Sequence, residues 1–233
     1  MLSIADHARI LDAATAHIVI ERGMRLLHIW KLAETDAEHC AILLDHLNPP
    51  HFARILDAGC GIGEVARQMR EQRPDLDFTL LNISQAQLDL APADMPQLLA
   101  SFDDIPASDE SFDAVMFNHA ICHAADWLTT FREAARVLRP GGRVLIYDME
   151  RQHGDNHLLA HHTHSTAWPW QQTRDTAALA GLDLVGVWFP EPVDTPLLRL
   201  MGDEAFYAAT FDGVRPMVMV LARDDSTNQG EQS

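Results

Sequence analysis

The segment 55–63 constrains the fold most, because a short apolar run there meets three alternate glycines. Ile55 and Leu56 are typical of a buried strand, and Gly59, Gly61 and Gly63 follow at every second position. Glycine adopts backbone conformations that other residues avoid and lets a ligand approach the main chain closely. A helix that starts behind such a turn directs N–H groups toward an anionic group. The segment therefore predicts a nucleotide-type site at the carboxyl end of the first strand, with a tight structural turn as the alternative.

Runs typical of strands and of helices alternate downstream of this segment. Strands are predicted at 54–57, 78–82, 97–101, 112–117, 143–148, 182–189 and 217–222. Helices are predicted at 63–71, 84–90, 127–138 and 170–180, the third ended by a turn at Pro140-Gly141-Gly142. This alternation is typical of an α/β fold, in which helices cover both faces of a parallel, doubly wound sheet.

The region before the first strand predicts two further helices, at 2–20 and 36–47. The second is expected to stop at Asn48-Pro49-Pro50, because proline lacks an N–H donor and clashes with a continuing helix. We expect an N-terminal helical cap at 1–50, an α/β domain at 51–223 and a disordered polar tail at 224–233. The cap is either a lid or a simple cover, and we favour the lid.

Charge and cysteine usage limit the classes of partner. The formal net charge of −17 disfavours nucleic acid and anionic membranes and leaves a small molecule as the expected partner. Three widely spaced cysteines, with no Cys-x-x-Cys pair, fit a reducing cytoplasm rather than a disulfide framework or a zinc site. We expect a cytoplasmic protein, since neither a signal-peptide run nor a membrane span is found in the sequence. The oligomeric state is not readable from these patterns.

Residues 57–63 resemble motif I of the class I S-adenosylmethionine-dependent methyltransferases, in particular the type 11 group. Later segments agree with that family in order and spacing, namely 82–87, 104–106 with 111–115, 122–126 and 136–144. The resemblance covers roughly residues 52–150. It implies a Rossmann-like, seven-stranded sheet whose last strand is antiparallel, with residues 51–223 as the methyltransferase domain. It also implies S-adenosyl-L-methionine as the cofactor and methyl transfer as the reaction.

The resemblance implies a set of cofactor-binding residues: Asp57, Gly59, Cys60, Gly61, Gly63, Asn82, Ile83, Gln87, Ser101, Phe102 and Asn118. Asp57 is expected to orient the loop and to bind the ammonium group of the ligand. Asn82 stands where most relatives have a ribose-binding acid. Gln87 is expected to compensate, as in relatives that resemble cyclopropane-fatty-acid synthases and terpenoid C-methyltransferases. Ser101 and Phe102 replace the usual adenine-side Gly-Asp-Ala.

Two histidines are the catalytic candidates, because His119 and His123 follow the fourth predicted strand, where an acceptor would meet the cofactor. A neutral imidazole accepts a proton near neutral pH, and loop packing is the alternative role. Within 152–164, His153, His157 and His161 would share one helix face. We favour a solvated polar face there over a metal or anion site and predict no metal ligand. Mg²⁺ stays open as a second cofactor, although no residue pattern supports it.

The aromatic residues favour a partly apolar acceptor. Candidate lining residues for an acceptor pocket are Trp127, Trp168, Trp170, Trp188 and Phe189. Residues 204–207 and 212–213 faintly resemble geranyl diphosphate C-methyltransferases, although those relatives have a glutamate where this chain has His119. C-methylation of an isoprenoid or lipid-like compound is one reading. The alternatives are O- or N-methylation of a natural product and a non-catalytic cofactor-binding or regulatory protein. The glycine spacing argues against a nicotinamide-dependent reductase.

Overall fold

A computed structural model describes residues 4–15, 29–155 and 157–225. The strands in these ranges are β1 (Arg54–Ala58), β2 (Asp77–Asn82), β3 (Gln97–Leu99), β4 (Phe112–Asn118), β5 (Leu138–Arg151), β6 (Leu182–Trp188) and β7 (Val214–Arg223). The helices are α1 (Ile4–Thr15), α2 (Asp36–Leu47), α3 (Glu64–Gln72), α4 (Gln85–Leu88), α5 (Trp127–Val137), α6 (His157–Thr163), α7 (Trp170–Ala178), α8 (Pro196–Met201) and α9 (Glu204–Thr210). A short 3₁₀ helix spans Ile121–His123. None of the described helices is both long and apolar enough to cross a membrane.

The seven strands form one sheet in the order β3-β2-β1-β4-β5-β7-β6. Strands β1 to β5 pair in parallel, and β7 runs antiparallel to both of its neighbours. This confirms the predicted Rossmann-like sheet with an antiparallel last strand. Because parallel strands end at the same edge, the loops after β1, β2 and β4 meet at the carboxyl edge of the sheet.

Successive side chains of β1 pack on opposite faces of the sheet. Ile55 packs into one hydrophobic cluster with Leu43 of α2, and Leu56 packs into the opposite cluster with Phe131 of α5. A third, smaller cluster, here called the cap cluster, consists of Trp30, Cys122, Met149, Leu159, Ala167 and Phe211. Cys122 belongs to the loop after β4, so the cap cluster lies over that part of the carboxyl edge.

The segment 138–142 departs from the sequence-based expectation. Helix α5 ends at Val137, and Leu138 is already extended and pairs with Phe112 of β4. The predicted turn at 140–142 is therefore wrong, because these residues belong to β5. Gly141 has φ of +72°, and the β4–β5 register shifts between Phe112 and Ala114. This shift in register accommodates Pro140, Gly141 and Gly142 within the strand.

Other boundaries also differ from the prediction. Helices α8 and α9, between β6 and β7, were not predicted from the sequence. Within 152–164 only His157–Thr163 is helical, as α6, so His153 lies outside that helix. The predicted helix at 2–20 is described only as Ile4–Thr15, and the rest of it lies outside the described residues. Residues 226–233 of the predicted tail also lie outside them.

Candidate cofactor and acceptor site

Asp57 is a buried carboxylate near the carboxyl end of β1. Its exposed fraction is 1%, and neither carboxylate oxygen has a hydrogen-bond partner among the described residues. Burial raises the pKa of Asp57 from its ordinary value of 3.8 to about 8. A buried polar group without a partner is costly, so a ligand that brings a cationic donor to Asp57 would remove that cost. The residues present therefore fit the ammonium group of an amino-acid ligand.

The three glycines after β1 serve two different purposes. A Cβ atom on Gly59 would lie 2.6 Å from Cβ of Ala120, and one on Gly63 would lie 2.8 Å from Cδ1 of Leu80. A Cβ atom on Gly61, whose φ is +57°, would meet no atom within 4 Å. Gly59 and Gly63 thus permit close packing of the protein on itself, whereas Gly61 faces open space beside the loop.

Hydrogen bonds to β2 hold the glycine loop in place. The backbone N–H groups of Gly59 and Cys60 donate to the carbonyl of Leu81 at 2.8 and 3.1 Å, and that of Gly63 donates to the carbonyl of Cys60 at 2.9 Å. These three amides stabilise the loop itself and are not directed at a ligand. The Cys60 thiol is buried and donates to the carbonyl of Gly61, and burial raises its pKa. Cys60 therefore contributes through its backbone.

Asn82 and Gln87 meet at the end of β2. Nδ2 of Asn82 donates to Oε1 of Gln87 at 2.8 Å and to the carbonyl of Gly61 at 3.0 Å. Oδ1 of Asn82 accepts from the backbone N–H of Ser84 at 3.1 Å, across the half-buried Ile83. The amide donors of Asn82 thus bind the protein, and any direct bond from Asn82 to a ligand falls on Oδ1.

The loop after β3 places Phe102 beside the glycine loop. The Phe102 ring packs edge-to-face on Phe117 at a centroid distance of 5.8 Å, and its Cε1 atom would lie 3.7 Å from a Cβ on Gly59. Ser101 accepts a hydrogen bond from the backbone N–H of Asp103 at 3.1 Å. The carboxylate of Asp103, the acidic residue that follows Phe102, accepts from the Thr130 hydroxyl of α5. The structure thus brings Phe102 to the candidate site and ties Asp103 to α5.

Helix α1 reaches the same edge through one side chain. The hydroxyl of Ser84 donates to the carboxylate of Asp12 and also accepts from the backbone N–H of Gln87 at 3.1 Å, which caps α4. Asp12 was not predicted from the sequence, and no local pattern marks it. Its contact with Ser84 places α1 beside the Asn82–Gln87 pair.

The two candidate catalytic histidines have different surroundings. His119 has φ of +49°, and its backbone N–H donates to the carbonyl of Tyr147 at 2.7 Å. Its Nδ1 atom lies 4.0 Å from Oδ1 of Asp148, whose exposed fraction is 1%. Nδ1 of His123 lies 3.2 Å from the carbonyl of His164, which ties His123 to the segment after α6. The adjacent Asn118 has a buried Oδ1 with no partner among the described residues. Asp148 was missed by the sequence analysis.

A sequence profile described as "Methyltransferase domain" matches residues 56–146, the part of the chain that carries this loop and both histidines. These residues, fewer than half of the chain, are similar to a methyltransferase domain. An O-methyltransferase of Aspergillus nomiae is 35% identical over 114 residues, which cover 45% of this chain and 50% of that protein. The chain thus spans about half the length of the curated relatives that it matches.

Solved structures are similar to this chain in fold over nearly its whole length. A geranyl diphosphate methyltransferase, solved with geranyl diphosphate and sinefungin, is similar with a TM-score of 0.77 at 19% identity, covering 94% of this chain and 98% of that one. The cyclase SpnF is similar with a TM-score of 0.81 at 14% identity, covering 96% and 97%. Identities this low show the shared fold alone.

The histidine side chains of segment 153–164 are exposed. His153, His157 and His161 are all exposed, and Nδ1 of His157 lies 2.7 Å from the carboxylate of Asp155. In the described ranges, no group of three or more histidine, cysteine or acidic side chains is arranged to hold a metal ion. The segment therefore shows a local contact between His157 and Asp155, and the described residues around it form no metal-binding group.

The aromatic residues expected to line an acceptor pocket pack mostly against the sheet. Trp127 and Trp168 stack at a centroid distance of 4.1 Å, and Trp170 packs near Phe189 at 6.5 Å. Trp188 is 41% exposed. The aromatic residue that instead lies beside His119 is Trp30, at 6.2 Å between ring centroids. Trp30 precedes the motif region, so no signal in the sequence marked it.

Proposed function

We propose that this protein transfers a methyl group from S-adenosylmethionine to a small, partly apolar acceptor. Two observations carry the proposal: the buried carboxylate of Asp57 has no hydrogen-bond partner in the part of the chain that the structure describes, and Gly61 of the following loop faces open space. When bound, the sulfonium cofactor supplies an electrophilic methyl group, so the chain needs chiefly to bind, orient and exclude water. The match of residues 56–146 to a methyltransferase domain supports this assignment.

Each part of the site has a proposed role. Asp57 binds the ammonium group, and Gly61 leaves room for the amino-acid end of the ligand. The Asn82–Gln87 pair lies on the ribose side, and Phe102, with Ser101, flanks the adenine. His119 faces the acceptor, because it follows β4 and lies beside the cap cluster. The apolar residues of that cluster favour an acceptor with an apolar part.

Two acceptor classes and one non-catalytic role compete within this proposal. Similarity to a geranyl diphosphate methyltransferase favours an isoprenoid or lipid-like acceptor methylated at carbon. Similarity to an O-methyltransferase favours a natural product methylated at oxygen. A cofactor-binding protein without methyl transfer is the second candidate function, because a cyclase has the same fold.

Calorimetry followed by a methylation screen tests the proposal. We expect S-adenosylhomocysteine to bind and NAD not to bind. Acceptors incubated with radiolabelled S-adenosylmethionine, with and without Mg²⁺, should then take up label. Failure of S-adenosylhomocysteine to bind would refute the proposal. Binding without transfer to any isoprenoid, lipid or phenolic acceptor would instead favour the non-catalytic role.

A further inference from the structure

A cavity of about 640 Å³ opens at the amino edge of the sheet, on the opposite side from the glycine loop. The parallel strands β4 and β5 both begin at this edge, and helix α2 ends there, at Leu47. The cavity, here called the amino-edge pocket, is lined by 47–51, 139–143, Arg73, Asp113 and Ala114. None of these lining residues belongs to the candidate cofactor and acceptor site. A ligand bound in the amino-edge pocket would therefore be separate from the cofactor.

Arg143 is the arginine of this pocket that has no acidic partner among the described residues. Its side chain is half-buried, and its Nη1 atom donates to the carbonyl of Leu47 at 3.2 Å. That carbonyl belongs to the last turn of α2, so the bond satisfies a helix end and supplies no counter-charge. A cation that is partly withdrawn from water is stabilised by a nearby anion. Arg143 therefore favours an anionic ligand in the pocket.

The acids beside the other two arginines are already engaged. Arg139 donates from Nη1 to Oδ1 of Asp113 at 2.6 Å, and Oδ2 of Asp113 accepts from the backbone N–H of Arg54 at 2.8 Å. Arg73 donates from Nε and Nη2 to the two oxygens of Asp75, at 2.8 and 2.7 Å. Within the described ranges, Nη1 of Arg73 and Nη2 of Arg139 have no hydrogen-bond partner. Because a guanidinium group has five N–H donors, both side chains can bind a further acceptor.

The rest of the pocket lining is largely apolar, with Leu47, Pro49, Pro50 and Pro140 among its residues. A volume of about 640 Å³ lies within the usual range of small-molecule sites and exceeds what an inorganic phosphate ion fills. The lining side chains carry three positive charges and one negative charge, that of Asp113, on a chain whose formal net charge is −17. These features fit an organic anion.

We propose that the amino-edge pocket binds a small molecule that carries a phosphate group beside a compact apolar part. Arg143 binds phosphate oxygens through the planar fork of its guanidinium group, and Arg73 and Arg139 each add a donor. A phosphate monoester presents three terminal oxygens, which match three guanidinium groups better than the two oxygens of a carboxylate. Leu47 and the prolines contact the apolar part. This binding does not depend on the proposed methyl transfer, because the two sites share no residue.

Calorimetry of the full chain with phenyl phosphate, in the absence and presence of S-adenosylhomocysteine, tests the proposal. We expect one molecule to bind per chain with the same affinity in both conditions. Inorganic phosphate should bind about tenfold more weakly because it lacks the apolar ring, and phenol should not bind. The proposal would be overturned if phenyl phosphate does not bind at concentrations up to about 10 mM. Competition by S-adenosylhomocysteine would place the phosphate in the cofactor site and would overturn it too.

Two arginine variants separate the pocket from the general charge of the protein. Arg143→Gln removes the cation that has no acidic partner, so the affinity for phenyl phosphate should fall about tenfold or more. Arg132→Gln removes the same charge from an exposed position of α5 outside the pocket, and this matched control should keep the wild-type affinity. A wild-type affinity in Arg143→Gln, or equal losses in the two variants, would contradict a phosphate site at Arg143.

NMR of the wild-type protein covers the case in which Arg143→Gln does not fold. Phenyl phosphate should shift the backbone amide signals of Gly141 and Gly142, which line the pocket, and leave those of Gly59 and Gly61 unchanged. Shifts at Gly59 and Gly61 alone would place the phosphate at the glycine loop and overturn the proposal. Failure of S-adenosylhomocysteine to bind would count against the proposed function alone, so the two failures are distinguishable.

Discussion

Nδ2 of Asn82 donates a hydrogen bond to Oε1 of Gln87 at 2.8 Å, and the same amide donates to the carbonyl of Gly61 at 3.0 Å. One side chain therefore joins the end of β2, helix α4 and the glycine loop. An acid at this position would have no amide donor to offer, so the internal link depends on the asparagine.

The hydrogen bonds of Asn82 predict that an aspartate at this position would lower the stability of the protein. Asn82→Asp places carboxylate oxygens against the carbonyl of Gly61 and Oε1 of Gln87. We expect the free energy of unfolding to fall by about 1–3 kcal/mol, measured by urea denaturation at pH 7.5. Gln97→Glu, which adds the same charge at an exposed position of β3, is the control and should change stability little. A fully stable Asn82→Asp protein would show that the amide link is dispensable.

Burial of Asp57 predicts a pH-dependent stability of the ligand-free protein. Its folded-state pKa is raised from 3.8 to about 8, so folding favours the protonated form. The stabilising contribution of that form is complete below pH 4 and is lost as the pH rises through about 8. Asp57→Asn has no carboxyl group to titrate, so its free energy of unfolding should rise relative to that of wild type between pH 5 and 8.5. The relative rise should be about 1.4 kcal/mol per pH unit and a few kcal/mol in all. Burial raises the pKa of Asp148 to about 6 in both proteins, so the contribution of Asp148 cancels in the comparison. Parallel stability curves from denaturation at each pH would contradict the role of Asp57.

Cofactor affinity should depend on pH in the opposite sense. An ammonium group binds ionised Asp57, so below pH 8 binding must release a proton. The dissociation constant of S-adenosylhomocysteine should therefore fall as the pH rises from 6 to 8, by up to about tenfold per pH unit, and level off above 8. Asp57→Asn should bind weakly with little pH dependence. Calorimetry in buffers of different ionisation enthalpy measures the released proton directly, and a value of zero at pH 6.5 would exclude this linkage.

The contact between Asp12 and Ser84 predicts that the N-terminal cap assists cofactor binding. Asp12→Ala removes a hydrogen bond from the helix that borders the Asn82–Gln87 pair. A loss of about 1 kcal/mol would weaken binding of S-adenosylhomocysteine roughly fivefold while the urea midpoint changes little. Asp6→Ala on the same helix, where Asp6 pairs locally with Arg9, is the matched control. Equal affinities in the two variants would mean that α1 is only a cover.

Substitutions of Gly59 and Gly61 should affect different quantities, the first chiefly stability and the second chiefly ligand binding. Gly59→Ala places a Cβ 2.6 Å from Cβ of Ala120 at a φ of +83°, so we expect a loss of about 2 kcal/mol or more in unfolding free energy. Gly61→Ala meets open space and should cost about 1 kcal/mol from its left-handed backbone alone. Because the ligand is proposed to bind in that space, Gly61→Ala should weaken the binding of S-adenosylhomocysteine more than tenfold. The reverse order of effects would place the ligand elsewhere.

The candidate site was predictable where its residues are close in the sequence. Asp57 and the glycines occupy one strand–loop–helix unit, and Asn82 and Gln87 are separated by less than two helical turns. Local backbone chemistry and apolar periodicity are enough to place the strand–loop–helix unit, and the family resemblance singled out Asn82 and Gln87. The distribution of the helices was predicted less well after β5, where short segments such as α8 and α9 carry weak periodicity and His153 falls outside α6.

The sequence by itself determined the α/β alternation and the position of the glycine loop. Only the tertiary structure decided which distant side chains complete the site: Asp12 beside Ser84, Ala120 against Gly59, and Asp148 and Trp30 around His119. The physical reason is that these contacts depend on strand order and register. Because β5 lies beside β4 and in parallel, Asp148 meets the turn after Asn118, and no local pattern in either segment encodes that meeting.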